Sequence, residues 1–260
     1  MRSSLWIWGA VVGIFGFLFV PVVIVLLYAF SAAPIPAWPL DGFALHWFGD
    51  TWRDDEVRAA LLLSLEVAGL ASVMAVLLGT LAGLAVVRMG SASRELVSFV
   101  AVLPIALPGI LTGIALASYF ASLGLSLSFW TIVAGHATFC TVIVYNNVVA
   151  RLRRMPRSLT EASADLGAGP WRTFRLVQLP MLGSAMGAGA LLAFALSFDE
   201  VIVTTFTAGA QNTLPLWIFG AIRLGQKLPE VNVVVFAVII FTAVPVLVAQ
   251  RLIGEAGRAG

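Results

Sequence analysis

Residues 5–30 contain no charged side chain, and the run is long enough to cross a bilayer as a helix. No other feature limits the fold so strongly. In lipid, backbone N–H and C=O groups find no water, so a spanning segment must satisfy them internally. Further apolar runs follow. Together they predict an all-α polytopic membrane protein with six transmembrane helices in a single domain over 1–260. The expected spans are 5–31, 57–87, 96–119, 129–149, 181–205 and 231–253. Composition agrees: 60% of residues are hydrophobic and 11% charged, where a soluble domain carries about a quarter charged. A secretory signal peptide competes for the first run, since small residues follow at Ser31, Ala32 and Ala33. Its apolar core would be shorter, roughly 7–15 residues. The single cysteine, Cys140, excludes an internal disulfide framework. A net charge of +2 is too small to point to nucleic acid.

Several residues inside these runs need an explanation. The second run carries Gly69, Ala71, Ser72, Gly79 and Gly83, small residues that let membrane helices approach closely. It also carries Glu66, either functional or near the outer interface and reaching water. The third holds Pro104, Pro108, Gly109 and Gly113, which fit a broken helix lining a pathway or plain packing. In the fourth, His136 reads as a packed, hydrogen-bonded residue. No second His or Cys has ligand spacing with it, so no metal site is expected. Asn146 and Asn147 are expected to bond between helices. In the fifth, Asp199 lies about 24 Å along a helix counted from residue 183, at about 1.5 Å per residue. Its neighbour is Glu200. Two adjacent carboxylates in lipid are costly unless they face a wet cavity; a hydrogen-bonded pair at a helix boundary is the alternative. In the connector 34–58, Trp38, Trp47 and Trp52 read as interfacial anchors, and the acidic cluster Asp41, Asp50, Asp54, Asp55 and Glu56 as a cap for the next helix. A short helix within 211–232 is expected to place Trp217 at an interface.

Charge fixes orientation. Six helices put both termini, the 88–94 turn and the 158–180 segment on one side. Eleven of the 15 Lys and Arg residues fall there: Arg2, Arg88, Arg94, Arg151, Arg153, Arg154, Arg157, Arg172, Arg175, Arg251 and Arg258. That side is therefore expected to be cytoplasmic.

The 158–180 segment is the longest polar interruption in the second half of the chain. It reads as a short amphipathic helix, a sharp turn and a second short helix. Ser158 and Glu161 have capping-box spacing. Leu159, Ala162, Ser163 and Leu166 share a small face left to dock against something. Gly167 stands where a helix C-terminus needs a left-handed residue, Pro170 suits a first helical position, and Pro180 is expected to close the unit. The pattern Glu161-Ala162-Ser163, three residues, Gly167, nine residues, Val177-Gln178-Leu179-Pro180 resembles the coupling loop of binding-protein-dependent ABC importer permeases. That family reads E-A-A, three residues, G, nine residues, I-x-L-P; Ser163 and Val177 are the departures. The resemblance implies the type I ABC importer permease fold and a loop seated in a groove on an ABC ATPase dimer. It also implies a second permease subunit, an extracytoplasmic solute-binding protein, and residence among the lipids of a bacterial inner membrane.

The stretches 135–139, 151–162, 196–201, 214–216 and 229–232 are similar to the second permease of polyamine (spermidine/putrescine) importers. Permeases for opines, aminoethylphosphonate, thiamine or iron(III) share the likeness. A polyamine path needs carboxylates to replace water and aromatic faces for its ammonium groups. Glu66, Asp199 and Glu200 could supply the first, Phe198 and Phe206 the second. The chain has no G-x-x-x-x-G-K-[ST] loop. No catalytic residue and no cofactor are expected on it, ATP and Mg being held by the ATPase subunits. An ion-gradient-driven transporter would show an internal repeat, and none is evident. An intramembrane enzyme would need a reactive set. His136, Cys140 and Ser197 are the candidates, and no recognised spacing joins them.

Overall fold

The computed structural model describes residues 2–256; Arg258, counted above, lies outside them. The first helices are α1 (Arg2–Tyr28), α2 (His46–Arg53) and α3 (Asp55–Val87). Next come α4 (Ser91–Ala106), α5 (Gly109–Ser122) and α6 (Phe129–Arg154). The loop region holds α7 (Arg157–Asp165), α8 (Pro170–Thr173) and a π-helical stretch (Phe174–Gln178). The chain ends with α9 (Leu179–Phe198), α10 (Ile202–Thr207), α11 (Leu214–Leu224) and α12 (Leu228–Ala256). Among the described residues, four stretches are long and apolar enough to cross a bilayer: Trp6–Tyr28, Asp55–Val87, Phe129–Arg154 and Pro170–Phe198. The pair α4 and α5 qualifies jointly as a fifth, and Leu228–Thr242 is a shorter apolar stretch.

The chain divides into two compact units, residues 1–58 with 218–260, and residues 59–217. In the first, Phe30, Phe48 and Phe236 pack ring against ring. Phe236 meets both others edge-on, with centroids 5.1 and 5.7 Å away. Such aromatic pairs stabilise by roughly 0.5–1.5 kcal/mol each beyond area burial. The Trp47 indole donates to the Ser31 carbonyl (3.1 Å), so this tryptophan holds the connector as well as any interface. Asp54 caps α3, accepting from the Glu56 N–H at 2.9 Å. Lys227 donates to Asp54 (2.7 Å) and Glu56 (2.8 Å). Burial alone would raise the Asp54 carboxyl, but the Lys227 ammonium and the backbone N–H of Glu56 hold it below its ordinary value. The same hydrogen bonds, to Asp54 and Glu56, raise Lys227.

In the second unit α6 is the central element. Ile132, Val133, His136, Cys140, Val144 and Val148 are almost wholly buried. Its neighbours come close because of glycine. A Cβ at Gly79 would lie 2.8 Å from both the Thr141 carbonyl oxygen and the Tyr145 nitrogen, and one at Gly83 2.9 Å from Val148. On α9, one at Gly189 would lie 3.1 Å from the Val144 Cα. The small-residue spacing read in the second run is therefore a packing device. Ser98 of α4 and Tyr145 of α6 share a hydrogen bond of 2.7 Å.

The third span takes the broken-helix alternative: α4 and α5 meet at 101°, broken at Leu107 and Pro108. A proline disfavours helical backbone in the residue before it. Four expectations are corrected. The fifth span ends at Phe198 rather than 205, and α10 resumes after a gap at Asp199, Glu200 and Val201. The capping box is not at Ser158 and Glu161, because α7 starts at Arg157 behind Pro156 with no side-chain cap. Thr131 accepts the Ser128 N–H instead (2.7 Å), at the head of α6. Asn147 bonds within its own helix, to the Ile143 carbonyl (2.9 Å). Trp217 is buried and is not an interfacial anchor.

Candidate functional site

The 158–180 segment takes the expected shape in its first half. Gly167 has φ +75°, in the left-handed region. Its N–H donates to the Ala164 carbonyl (2.8 Å) and the Ala168 N–H to the Ser163 carbonyl (3.0 Å). That pair of bonds is the Schellman ending of a helix, satisfying two orphan carbonyls. Pro170 opens α8 behind Gly169. Ser163 and Thr173 share a hydrogen bond of 3.0 Å that staples α7 to α8. Glu161 and Ala162 lie exposed on α7. Leu166 and Trp171 stand 88% and 69% exposed, so the segment offers an apolar face that this chain does not cover.

The second half differs from expectation. Pro180 does not close the unit, since the backbone stays helical from α8 through the π stretch into Leu179 and α9. Proline inside a regular helix clashes with the carbonyl four residues back. The wider π turn immediately before Pro180 relieves that crowding. Arg151 at the end of α6 donates to the Met181 carbonyl (2.9 Å), tying the loop's exit to its entry. A displacement of the segment therefore has a continuous helical path into α9.

About 30 Å further along α9, at about 1.5 Å per residue, lies the second feature. The gap between α9 and α10 is tied to α6 by His136. Its Nδ1 lies 2.7 Å from Ser197 Oγ and its Nε2 2.9 Å from Thr204 Oγ1. The Thr204 hydroxyl donates to the Glu200 carbonyl (2.7 Å). It can then only accept from His136, so Nε2 carries the proton, and Nδ1 accepts from Ser197. Ser197, His136 and Thr204 are all buried. Sequence spacing did not reveal this pairing. It brings together two of the three residues considered for an enzyme, yet leaves neither open to a substrate. Cys140 stands apart, donating to the Ala193 carbonyl (3.3 Å).

The helix after the gap is clamped on both sides. A Cβ at Gly113 of α5 would lie 2.6 Å from the Phe206 ring, and one at Gly109 3.5 Å from Ile202. On α6, a Cβ at Gly135 would lie 3.3 Å from Thr207. Phe206 is thus a packing residue against α5, and Phe198 stacks on Phe194 with ring centroids 6.2 Å apart. The two carboxylates also separate in role. Glu200 Oε1 accepts the Val203 N–H (3.0 Å) and caps the start of α10. Asp199 is exposed, and no described residue donates to its carboxylate. Glu66 is exposed on α3, and no described hydrogen bond joins it to Asp199, Glu200, Phe198 or Phe206. Among the described residues no cluster of His, Cys, Asp and Glu could hold a metal ion.

Comparison with known proteins places this geometry. The family model for the binding-protein-dependent transport system inner membrane component matches residues 75–254. The putrescine transport system permease protein PotI of Escherichia coli (strain K12) is 35% identical over 228 residues, covering 84% of this chain and 80% of that one. The spermidine/putrescine transport system permease protein PotC of the same strain is 30% identical over 246 residues, covering 94% and 92%. A chain of a bacterial ABC transporter involved in the import of the acidic polysaccharide alginate has the same fold, with TM-score 0.71, 15% identity and 96% of both chains covered. The matched region contains both the 158–180 segment and the α9–α10 gap. This chain belongs to the family of binding-protein-dependent transport system inner membrane components, the membrane-spanning permease subunits of ABC importers.

Proposed function

We propose that this permease subunit forms half of an import path for a polyamine, putrescine or spermidine. ATP hydrolysis in a separate ATPase dimer drives it. A second permease completes the path, and an extracytoplasmic binding protein delivers the substrate. The chain sits in the bacterial inner membrane with both termini and the 158–180 loop in the cytoplasm. Glu161, Ala162, Ser163, Gly167, Leu179 and Pro180 form the contact through which ATPase closure moves the helices, a rigid-body switch driven at an interface.

One observation carries the substrate assignment. Asp199 presents a carboxylate with no described donor at a gap between two apolar helices. In lipid such a group is costly, whereas in a water-filled path it attracts an ammonium group. Glu200, bonded into the start of α10, contributes field rather than contact. Phe198, stacked on Phe194, offers an aromatic face beside Asp199, whereas Phe206 packs against α5. Glu66 stands among exposed apolar residues of α3, including Leu62 and Leu70. That face is turned to the second permease or to the path, since a carboxylate facing lipid would be unsupported.

The test is ATP-dependent uptake into proteoliposomes holding the full complex. Labelled putrescine, spermidine, an opine, aminoethylphosphonate and thiamine are offered, each with its binding protein. Polyamine uptake that falls in Asp199→Asn supports the assignment. Import of an anionic or neutral solute, unchanged in Asp199→Asn, overturns it and leaves only the permease role.

A further inference from the structure

The gap between α9 and α10 needs an anchor. The regular helix stops at Phe198 and resumes at Ile202, while the residues on either side must keep their positions for the carboxylate to point one way. Local bonds supply part of it: the Val203 N–H reaches Glu200 Oε1 at 3.0 Å, and the Thr205 N–H reaches the Val201 carbonyl at 2.9 Å. The Asp199 N–H reaches the Ala195 carbonyl at 3.2 Å, and the Glu200 N–H reaches that of Ser197 at 3.4 Å. His136 provides the rest. It comes from a different helix, is 1% exposed, and uses both ring nitrogens. One nitrogen holds Ser197, two residues before Asp199, and the other holds Thr204, five residues after it. Thr204 passes the constraint back to the gap through the Glu200 carbonyl.

Imidazole suits this task for a geometric reason. Its two nitrogens lie on one rigid ring and, in the neutral form, offer one donor and one acceptor. A single side chain thus spans the gap with a donor at one end and an acceptor at the other. Asparagine and glutamine carry both functions on one amide carbon and cannot reach the two hydroxyls together. Burial strengthens the arrangement, because a lost partner inside a membrane helix bundle finds no water to replace it.

We propose that His136 is a positioning residue for the Asp199 carboxylate: its hydrogen bonds to Ser197 and Thr204 span the α9–α10 gap and fix the direction in which Asp199 faces the transport path. His136 touches no substrate and acts only through the two hydroxyls it holds. The transport consequence rests on the polyamine reading above, whereas the positioning itself does not.

The experiment separates the two. In the reconstituted full complex, Cys140→Ala removes the native thiol, and Asp199→Cys or Leu191→Cys places a reporter. The reaction rate with a cationic methanethiosulfonate reagent is then measured with and without His136→Leu. Leu191 is the control, on the same helix and 74% exposed. The expected result is a change of fivefold or more at position 199 and less than twofold at 191. Equal rates at 199 overturn the proposal, as does an equal change at both positions, which would mean that His136 merely holds the fold. Should His136→Leu fail to assemble, Ser197→Ala removes one of the two bonds and keeps the ring. A change of twofold or more confined to 199 is expected, and an unchanged rate overturns the proposal. In the chain with Asp199 intact, His136→Leu lowers polyamine uptake at least fivefold. If the labelling changes as expected but Asp199→Asn imports polyamines normally, positioning stands and the polyamine reading falls.

Discussion

The loop around Gly167 and the gap around Asp199 sit at opposite ends of α9 and are built on opposite principles. The loop is largely local: α7, its Schellman ending and α8 are held by bonds within the segment, with Arg151 tying its entry to its exit, and Leu166 and Trp171 stay outward. The gap is assembled from distant parts, with partners 61 and 68 positions apart, and its hydroxyls, Ser197 and Thr204, are buried while Asp199 stays exposed. A surface that must meet another protein can be written as a short motif. A carboxylate held at one angle inside a bilayer needs a second helix to hold it. One long helix joins the two, so motion at the loop has a direct route to the gap.

The largest expected effect breaks the loop alone. Gly167→Val forces a β-branched residue to φ +75°, at a cost of roughly 1–2 kcal/mol for a left-handed residue. No neighbour lies within 4 Å of the added Cβ, so packing of the chain is not disturbed. Uptake is expected to be abolished while membrane insertion, read by fractionation, is normal. Normal uptake would remove the loop's coupling role.

Next come the two carboxylates, which sharpen the contrast within the gap. Asp199→Asn removes the free charge and is expected to lower polyamine uptake by about 10- to 100-fold, as loss of a charge-assisted contact of roughly 1.5–3 kcal/mol would. Glu200→Gln keeps an oxygen that can accept the Val203 N–H. Its effect on initial uptake rate is expected to be no more than about threefold, or under about 1 kcal/mol on that scale. The reverse order would show that Glu200 is the substrate contact.

The smallest effect belongs to neither end. Lys227→Ala removes two ion pairs in the first unit, where Lys227 is 37% and Asp54 18% exposed. Partly exposed pairs contribute about 0–1 kcal/mol, so only a slight drop in thermal stability is expected. Asp54 is held below its ordinary 3.8 and Lys227 above its ordinary 10.5. The contribution is therefore full between those values. It is lost as pH falls through the lowered Asp54 value or rises through the raised Lys227 value. Melting of the detergent-solubilised complex at pH 7 and pH 3, wild type against Lys227→Ala, checks this: the difference between the two should shrink at the lower pH.

The same contrast explains what could be read before the structure. Gly167, Pro170 and the spacing to Pro180 announce the loop because turn chemistry is local. Pro104 and Pro108 marked a break, although only the structure gives its angle. The end of α9 was missed because 196–207 has no proline or glycine and stays apolar around Asp199 and Glu200. Hydropathy carries such a run straight through. His136, Ser197 and Thr204 were each visible, but no periodicity links residues so far apart on different helices. Trp217 and Asn147 misled because membrane trends in residue placement say nothing about a particular neighbour.

One measurement joins both ends of α9: polyamine uptake and ATP hydrolysis recorded together in proteoliposomes of the full complex, for Gly167→Val and Asp199→Asn. If the loop transmits and the gap selects, Gly167→Val loses uptake together with the substrate-stimulated part of hydrolysis. Asp199→Asn then loses uptake by about tenfold or more while hydrolysis stimulated by the loaded binding protein persists. Identical profiles for the two variants, or full polyamine uptake in either, would contradict the division of labour.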